Sequence, residues 1–212
     1  MGDGRPEVLT HDDQNEMAWL DKNLIPLYKD IAPKIIGVLD GDHYRVLGKM
    51  TTAQYICMRL GIPGAYLGER VGYITVVFET DSNNSMRYNI LARHGVGGTG
   101  SNGSSVTAME KQGYGWDFDL HVSGHCHRNH ANVDKWCKGP NHSCSDVNWG
   151  FRAQMRGSSL LEGYEVGKTH YPEHAEYRPL TTGWAECNVT IGKVHSSGCT
   201  EVKMVKASVV AG

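Results

Sequence analysis

Three apolar segments of the chain each end in a polar stretch that carries glycine and histidine. Short apolar runs of this kind are typical of buried strands, and ligands bind in open α/β sheets beyond the C-terminal ends of the strands. Glycine lets the chain turn sharply there and leaves room near a ligand. Imidazole and carboxylate together suit Zn, Mn and Fe, so converging strand ends predict a metal site. The three segments are Ile35–Leu39 before Asp40-Gly41-Asp42-His43, Tyr88–Ala92 before Arg93-His94-Gly95, and Phe118–Val122 before Ser123-Gly124-His125-Cys126-His127.

Composition narrows the class of protein. The 212 residues carry 21 basic and 23 acidic side chains, a net charge of −2. High net charge, one half of the disorder signature, is therefore missing, and a folded domain is favoured. The same near-neutral charge argues against a basic surface as the main means of binding phosphate groups. Glycine accounts for 26 of the 212 residues, which is well above its typical share of about 7 %. Histidine, with 11 residues, is the second residue type in excess.

The order of predicted elements indicates an α/β layered fold. The periodicity of residues 11–33 predicts an amphipathic helix that stops near Pro33. Helices then alternate with strands, whereas the later strands follow one another, which predicts a β-rich antiparallel C-terminal part. Residues 129–149 lack periodicity and are predicted to form an irregular loop. One domain over residues 1–212 is expected at this length. The later strands are predicted around residues 150–156, 162–169, 184–191 and 200–210.

Cysteine usage and the termini indicate a compartment. Six cysteines could pair, but residues 1–6 contain no apolar run that would resemble an export signal. We therefore expect reduced thiols, a cytoplasmic location and no membrane association. A Cys/His cluster leaves open a structural zinc loop, although its spacing matches no standard zinc finger. The cluster consists of Cys126, His130, Cys137, His142 and Cys144.

The ordered motifs resemble the calcineurin-like metallophosphoesterase superfamily. Its pattern is Asp-x-His, Gly-Asp, Gly-Asn-His, a His often followed by Gly, and Gly-His-x-His. Gly124-His125-Cys126-His127 matches the last motif fully, and His94-Gly95 matches the single-His motif. Gly41-Asp42-His43 is similar to Gly-Asn-His with Asp in place of Asn, and Gly2-Asp3 is similar to Gly-Asp. The resemblance implies a β-sandwich flanked by helices, with a dinuclear metal centre at the strand ends.

The resemblance also implies roles for individual residues. One divalent metal, Mn, Fe or Zn, would be held by Asp3, Asp42, His94 and His125. Asp3 and His127 would remain for a second metal, and His43 would be the general acid. The implied activity is hydrolysis of a phosphoester, with nucleic acid among the substrates that stay open.

The sequence departs from the family pattern at its start. No Asp-x-His precedes Gly2-Asp3, so the first strand of the family fold and two ligands of the second metal are not seen. The pattern predicts a truncated domain or half of a split protein, which a complementing N-terminal fragment could complete. The alternative is a non-catalytic metal-binding or interaction domain derived from the same fold. Arg45, Arg59 and Arg93 are either phosphate contacts or solvated surface residues.

Overall fold

The computed structural model describes most of the chain in two compact units. These units are Met1–Gly72 and Tyr73–Gly212. The prediction of one domain over residues 1–212 stays a prediction. The described residues are 13–41, 46–47, 49–79, 85–95, 102–125, 129–140, 147–156, 183–193 and 200–211.

The first described segment of the first unit, residues 13–34, is helical with changes of pitch, where the periodicity predicts one helix over residues 11–33. Leu20, Ile25 and Ala32 are its buried apolar side chains, and Pro33 lies inside the last turn, which ends at Lys34. Proline has no N–H to continue the helical hydrogen bonds, which accounts for the stop. The parts are α1 (Asp13–Trp19), a π-helical turn (Leu20–Leu24), α2 (Ile25–Tyr28) and a 3₁₀ turn (Lys29–Lys34).

Helix α3 (Thr52–Arg59) starts at a capping box. The Thr51 hydroxyl accepts from the Gln54 N–H at 3.2 Å, and the Gln54 side chain accepts from the Thr51 N–H at 2.8 Å. Two N–H groups that the first turn leaves unpaired are satisfied in this way. The other elements of this unit are the parallel pair β1 (Val38–Leu39) and β4 (Tyr66–Gly68), the antiparallel pair β2 (Val46–Leu47) and β3 (Met50–Thr51), and a 3₁₀ turn (Pro63–Ala65).

The second unit contains a five-stranded mixed sheet with strand order β5-β6-β7-β9-β8. Strands β6, β7 and β9 are parallel, and β8 is antiparallel to β9. Helix α4 connects β6 to β7, and a separate antiparallel hairpin follows the sheet. The elements are β5 (Val71–Glu79), β6 (Ser85–Arg93), α4 (Asn102–Gly113), β7 (Leu120–Ser123), β8 (His130–Pro140), β9 (Val147–Arg156), β10 (Gly183–Lys193) and β11 (Thr200–Ala211).

The two faces of this sheet are covered differently. Tyr88, Ile90, Leu120 and Ala153 form an apolar core on one face, and apolar side chains of β10 pack against it. On the opposite face, buried Met109 of α4 contacts the guanidinium of Arg156 from β9. Helix, sheet and hairpin therefore form layers, because side chains alternate between the faces of each strand.

The prediction of a mixed α/β fold is confirmed, and its finer form, a metallophosphoesterase-like sandwich without its first strand, stays a prediction. The prediction of an irregular loop over residues 129–149 is wrong for the described residues of that range, because β8 pairs antiparallel with β9 from His130↔Arg156 to Pro140↔Val147. Pairing with a neighbouring strand stabilises β8 without local periodicity. The strand predicted at 162–169 lies outside the described residues. No helix within the described ranges has the length and apolar character to cross a membrane.

Candidate functional site

Two of the predicted site histidines meet at the ends of neighbouring strands. His94 follows β6, and His125 follows β7 after Gly124, with the last residues of the two strands in register. His94 Nε2 lies 2.7 Å from His125 Nδ1, and the rings meet edge to face at 68°. One ring donates a hydrogen bond to the other in a sense set by their tautomers. The structure thus brings these two histidines into contact, and their role as metal ligands stays a prediction.

Close backbone contact brings the two histidine-bearing loops together. The Gly124 N–H donates to the carbonyl oxygens of Arg93 at 3.2 Å and His94 at 3.1 Å. A Cβ placed on Gly95 would lie 2.4 Å from the Gly124 carbonyl oxygen and 2.7 Å from the Ser123 hydroxyl. Gly95 also has a φ of +96°, a conformation that only glycine adopts at low cost. Glycine at position 95 is therefore required both by its φ and by the neighbouring loop.

His125 itself has an unusual backbone conformation. Its φ is +67°, and it is the single non-glycine residue with positive φ among those described. The left-handed region costs an L-residue roughly 1–2 kcal/mol. Strained conformations of this kind cluster at functional sites, where the surrounding structure enforces them. The conformation of His125 therefore marks the end of β7 as the place where function is to be sought.

The donor chemistry of the pair fits a divalent metal. Imidazole nitrogen is a common metal ligand at about 2.0–2.1 Å, and these two ring nitrogens come from different strand ends. In the part of the chain that the structure describes, no group of three or more His, Cys, Asp or Glu side chains is placed to hold a metal. The other predicted site residues, Asp3, Asp42, His43 and His127, lie outside that part.

Asp40 precedes the predicted site residues Asp42 and His43, but its carboxylate has a structural role. It ends the first apolar segment and is buried. Its Oδ1 accepts from the Ala53 N–H at 3.1 Å, and its Oδ2 accepts from the Tyr66 hydroxyl at 2.9 Å. Burial and then the bond to Asp40 raise the pKa of Tyr66. Asp40 therefore anchors the chain just before Asp42-His43, a role that the sequence analysis missed.

His121 is the second residue that the sequence analysis missed. It is fully buried on β7, and its ring nitrogens lack hydrogen-bond partners within the described residues. Burial lowers its pKa to about 4, with further lowering by the charges of Arg93 and Arg156. The imidazole is therefore neutral at physiological pH. Its position inside the apolar run 118–122 is the signal that could have identified it.

The candidate phosphate-binding arginines have other contacts. Arg93 Nη1 donates to the Gln112 carbonyl oxygen at 2.5 Å, where a cation stabilises the C-terminus of α4. Arg59 forms an ion pair with Asp21, with Nε and Oδ1 2.7 Å apart. Arg45 lies outside the described residues. These contacts show structural roles for Arg59 and Arg93.

Two members of the alternative Cys/His zinc loop lie far apart on one strand. His130 and Cys137 both belong to β8, seven positions apart, which separates them by roughly 20 Å along the strand. They therefore cannot share a zinc ion. The remaining residues of that cluster, Cys126, His142 and Cys144, lie outside the described residues.

Comparison of the chain with protein-family models, with curated proteins and with solved structures found no match. The family resemblance accordingly rests on the ordered sequence motifs. The site geometry rests independently on the contact between His94 and His125.

Proposed function

We propose that the chain is a metal-dependent phosphoester hydrolase and that His94 and His125 bind its divalent cation. The observation that carries this proposal is the 2.7 Å approach of His94 Nε2 to His125 Nδ1. Two imidazoles taken from different motifs and brought to one point are what a metal centre requires. The flanking glycines and the positive φ of His125 support a built site rather than a chance contact.

Further ligands are proposed from the motif order. Asp3 and Asp42 would complete the cation site with carboxylate oxygens, and Asp3 with His127 would form a weaker second site. Imidazole with carboxylate suits Mn, Fe or Zn. In metal sites the other nitrogen of each ligand ring makes a hydrogen bond that fixes the ring orientation, and we expect the same of His94 and His125.

The chemistry follows from these positions. A bound divalent cation would supply charge for the phosphate oxygens and acidify a water molecule for attack on phosphorus. His94 and His125 would hold the phosphate group through that cation and orient it. His43 would donate a proton to the leaving alkoxide oxygen, so that the alcohol departs neutral. The substrate class is therefore a phosphate monoester or diester.

Metal analysis combined with turnover tests this proposal. The purified chain would be loaded with Mn²⁺ or Zn²⁺, its bound metal quantified, and an aryl phosphodiester and an aryl phosphomonoester assayed. His94→Gln and His125→Gln should each weaken metal binding and turnover by on the order of 10- to 100-fold or more, since second-shell changes alone cost that much. His195→Gln is the matched control, because no motif includes His195, and it should behave as the wild type.

The outcomes separate the two functions considered for this fold. Metal bound through His94 and His125 without turnover of either ester would favour the non-catalytic metal-binding domain. A wild-type chain that binds neither Mn²⁺ nor Zn²⁺ would overturn the proposal. Equal effects of the His94 and His195 substitutions would also overturn it.

A further inference from the structure

We infer that Gly95 is a positioning residue whose missing side chain lets the loop after β6 lie against Gly124 and so holds His94 and His125 in contact. The inference deepens the proposed function and rests on it for its meaning in metal binding. The contact between the two rings, however, is a property of the metal-free protein and can be measured without any metal.

The two loops share a backbone contact that leaves no space for a methyl group. The position of a Cβ on Gly95 lies 2.4 Å from the Gly124 carbonyl oxygen, a backbone atom that cannot rotate away as a flexible side chain can. The reverse contact is looser, since a Cβ on Gly124 would lie 3.2 Å from the His94 carbonyl oxygen. Substitution at Gly95 must therefore separate the loops, and substitution at Gly124 strains them less.

The backbone of His125 determines where its ring nitrogen lies. His125 faces His94 through Nδ1, the ring nitrogen nearer to the backbone. A shift of the His125 backbone therefore carries Nδ1 with it. The Gly124 N–H is bonded to the carbonyl oxygens of Arg93 and His94, so a separated loop loses these bonds and the ring contact together.

Gly115 provides a matched control within the same unit. Gly95 and Gly115 both have positive φ, +96° and +80°. Alanine at either position pays the cost of a left-handed conformation. A Cβ on Gly115 meets nothing within 4 Å, in contrast to Gly95. The difference between Gly95→Ala and Gly115→Ala therefore isolates the loop contact from backbone strain.

Nitrogen NMR of the metal-free protein, labelled with ¹⁵N at its histidine rings, is the first test. The expected result is a coupling across the hydrogen bond between His94 Nε2 and His125 Nδ1 in the wild type and in Gly115→Ala. The coupling should disappear in Gly95→Ala while circular dichroism still reports a folded chain. A coupling that persists in Gly95→Ala, or that is missing in the wild type, overturns the inference.

Co²⁺ titration, followed by visible absorption, is the second test. Gly95→Ala should bind Co²⁺ at least about 10-fold more weakly than Gly115→Ala, the size of effect seen when ligand orientation is lost. Gly124→Ala should fall between them and carries both tests if Gly95→Ala does not fold. Equal affinities in the glycine variants overturn the inference. A wild type with ring coupling but no Co²⁺ binding upholds the ring positioning and overturns only the proposed function.

Discussion

The two faces of the five-stranded sheet differ in what they bury. The face under the β10–β11 hairpin buries Tyr88, Ile90, Leu120 and Ala153, which form one apolar cluster. The face under α4 also buries polar side chains, although Leu91 and Met109 belong to it. Because side chains alternate along a strand, the polar side chains of one face are sequence neighbours of the apolar side chains of the other face. The buried polar side chains of this face are His121, Ser123, Gln154 and Arg156.

This difference teaches that the two faces stabilise the unit by different means. Burial of apolar surface is worth about 25 cal/mol per Å² and is independent of pH. A buried histidine beside two guanidinium groups must stay neutral, so its share of stability depends on pH. The polar face also leads directly into the candidate site, since Arg93 precedes His94 and Ser123 lies two residues before His125.

Truncation on the apolar face should give the largest effect. Leu120 is 5 % exposed and lies in the apolar cluster. Leu120→Ala should lower the free energy of unfolding by about 3 kcal/mol through lost burial and the cavity left behind. Urea unfolding at pH 7 measures the change, with Val77→Ala, half exposed on β5, as a control expected to change stability by under about 0.5 kcal/mol. A loss below 1 kcal/mol for Leu120→Ala would contradict the role of this face.

Acidification should act on the polar face alone. The pKa of His121 is about 4 in the folded chain against an ordinary value of 6.5, so below pH 6.5 the unfolded chain binds the proton and the folded chain does not. Stability is therefore complete above pH 6.5 and falls as the pH drops toward 4, by up to about 3 kcal/mol. His130 acts in the same sense, because burial lowers its pKa also.

His121→Leu is the variant that sharpens the acid prediction. It removes the titrating ring and keeps an apolar side chain in the buried position. Urea unfolding at pH 7 and at pH 5 should show a smaller difference in this variant than in the wild type. An equal difference would assign the acid sensitivity to other groups, and Leu120→Ala should retain the wild-type difference.

Features that depend on a local sequence pattern could be predicted from the sequence. Apolar runs that end in glycine and histidine placed His94 and His125 at strand ends, and helical periodicity predicted the first helical segment. Strand β8 could not be predicted in this way, because its stability comes from pairing with β9, which is a long-range contact. The role of Asp40 was missed for the same reason, since its partners Ala53 and Tyr66 are distant in sequence.

The glycines show the same limit at finer scale. A glycine beside a predicted ligand indicates that space is needed there, but the pattern does not show what fills the space. The sequence pattern predicts that Gly95 leaves room near a ligand, whereas in the structure the backbone of Gly124 lies against Gly95. The identity of the neighbour depends on the alignment of two parallel strands, which local periodicity does not encode.

Overpacking beneath α4 should give a moderate effect. A Cβ on Gly113 would lie 3.0 Å from two ring atoms of Phe118, whose ring is covered by the guanidinium of Arg152 at 4.3 Å. Gly113→Ala should therefore cost about 1 kcal/mol in unfolding free energy despite the better helix propensity of alanine. Gly64→Ala, where a Cβ meets nothing within 4 Å, should be neutral. A stabilised Gly113→Ala variant would show that α4 packs loosely on this face.

The smallest expected effect isolates the contribution of Arg156 to the low pKa of His121. Burial is the largest cause of that low pKa, followed by the charges of Arg93 and Arg156. Arg156→Met removes the latter charge and keeps an unbranched side chain beside Met109, so the pKa of His121 should move back toward 6.5. The stability difference between pH 7 and pH 4 should then shrink by about 0.5 kcal/mol, while Arg87→Met, at an exposed position of β6, leaves it unchanged. An undiminished difference in Arg156→Met would mean that burial and the charge of Arg93 keep His121 neutral without Arg156.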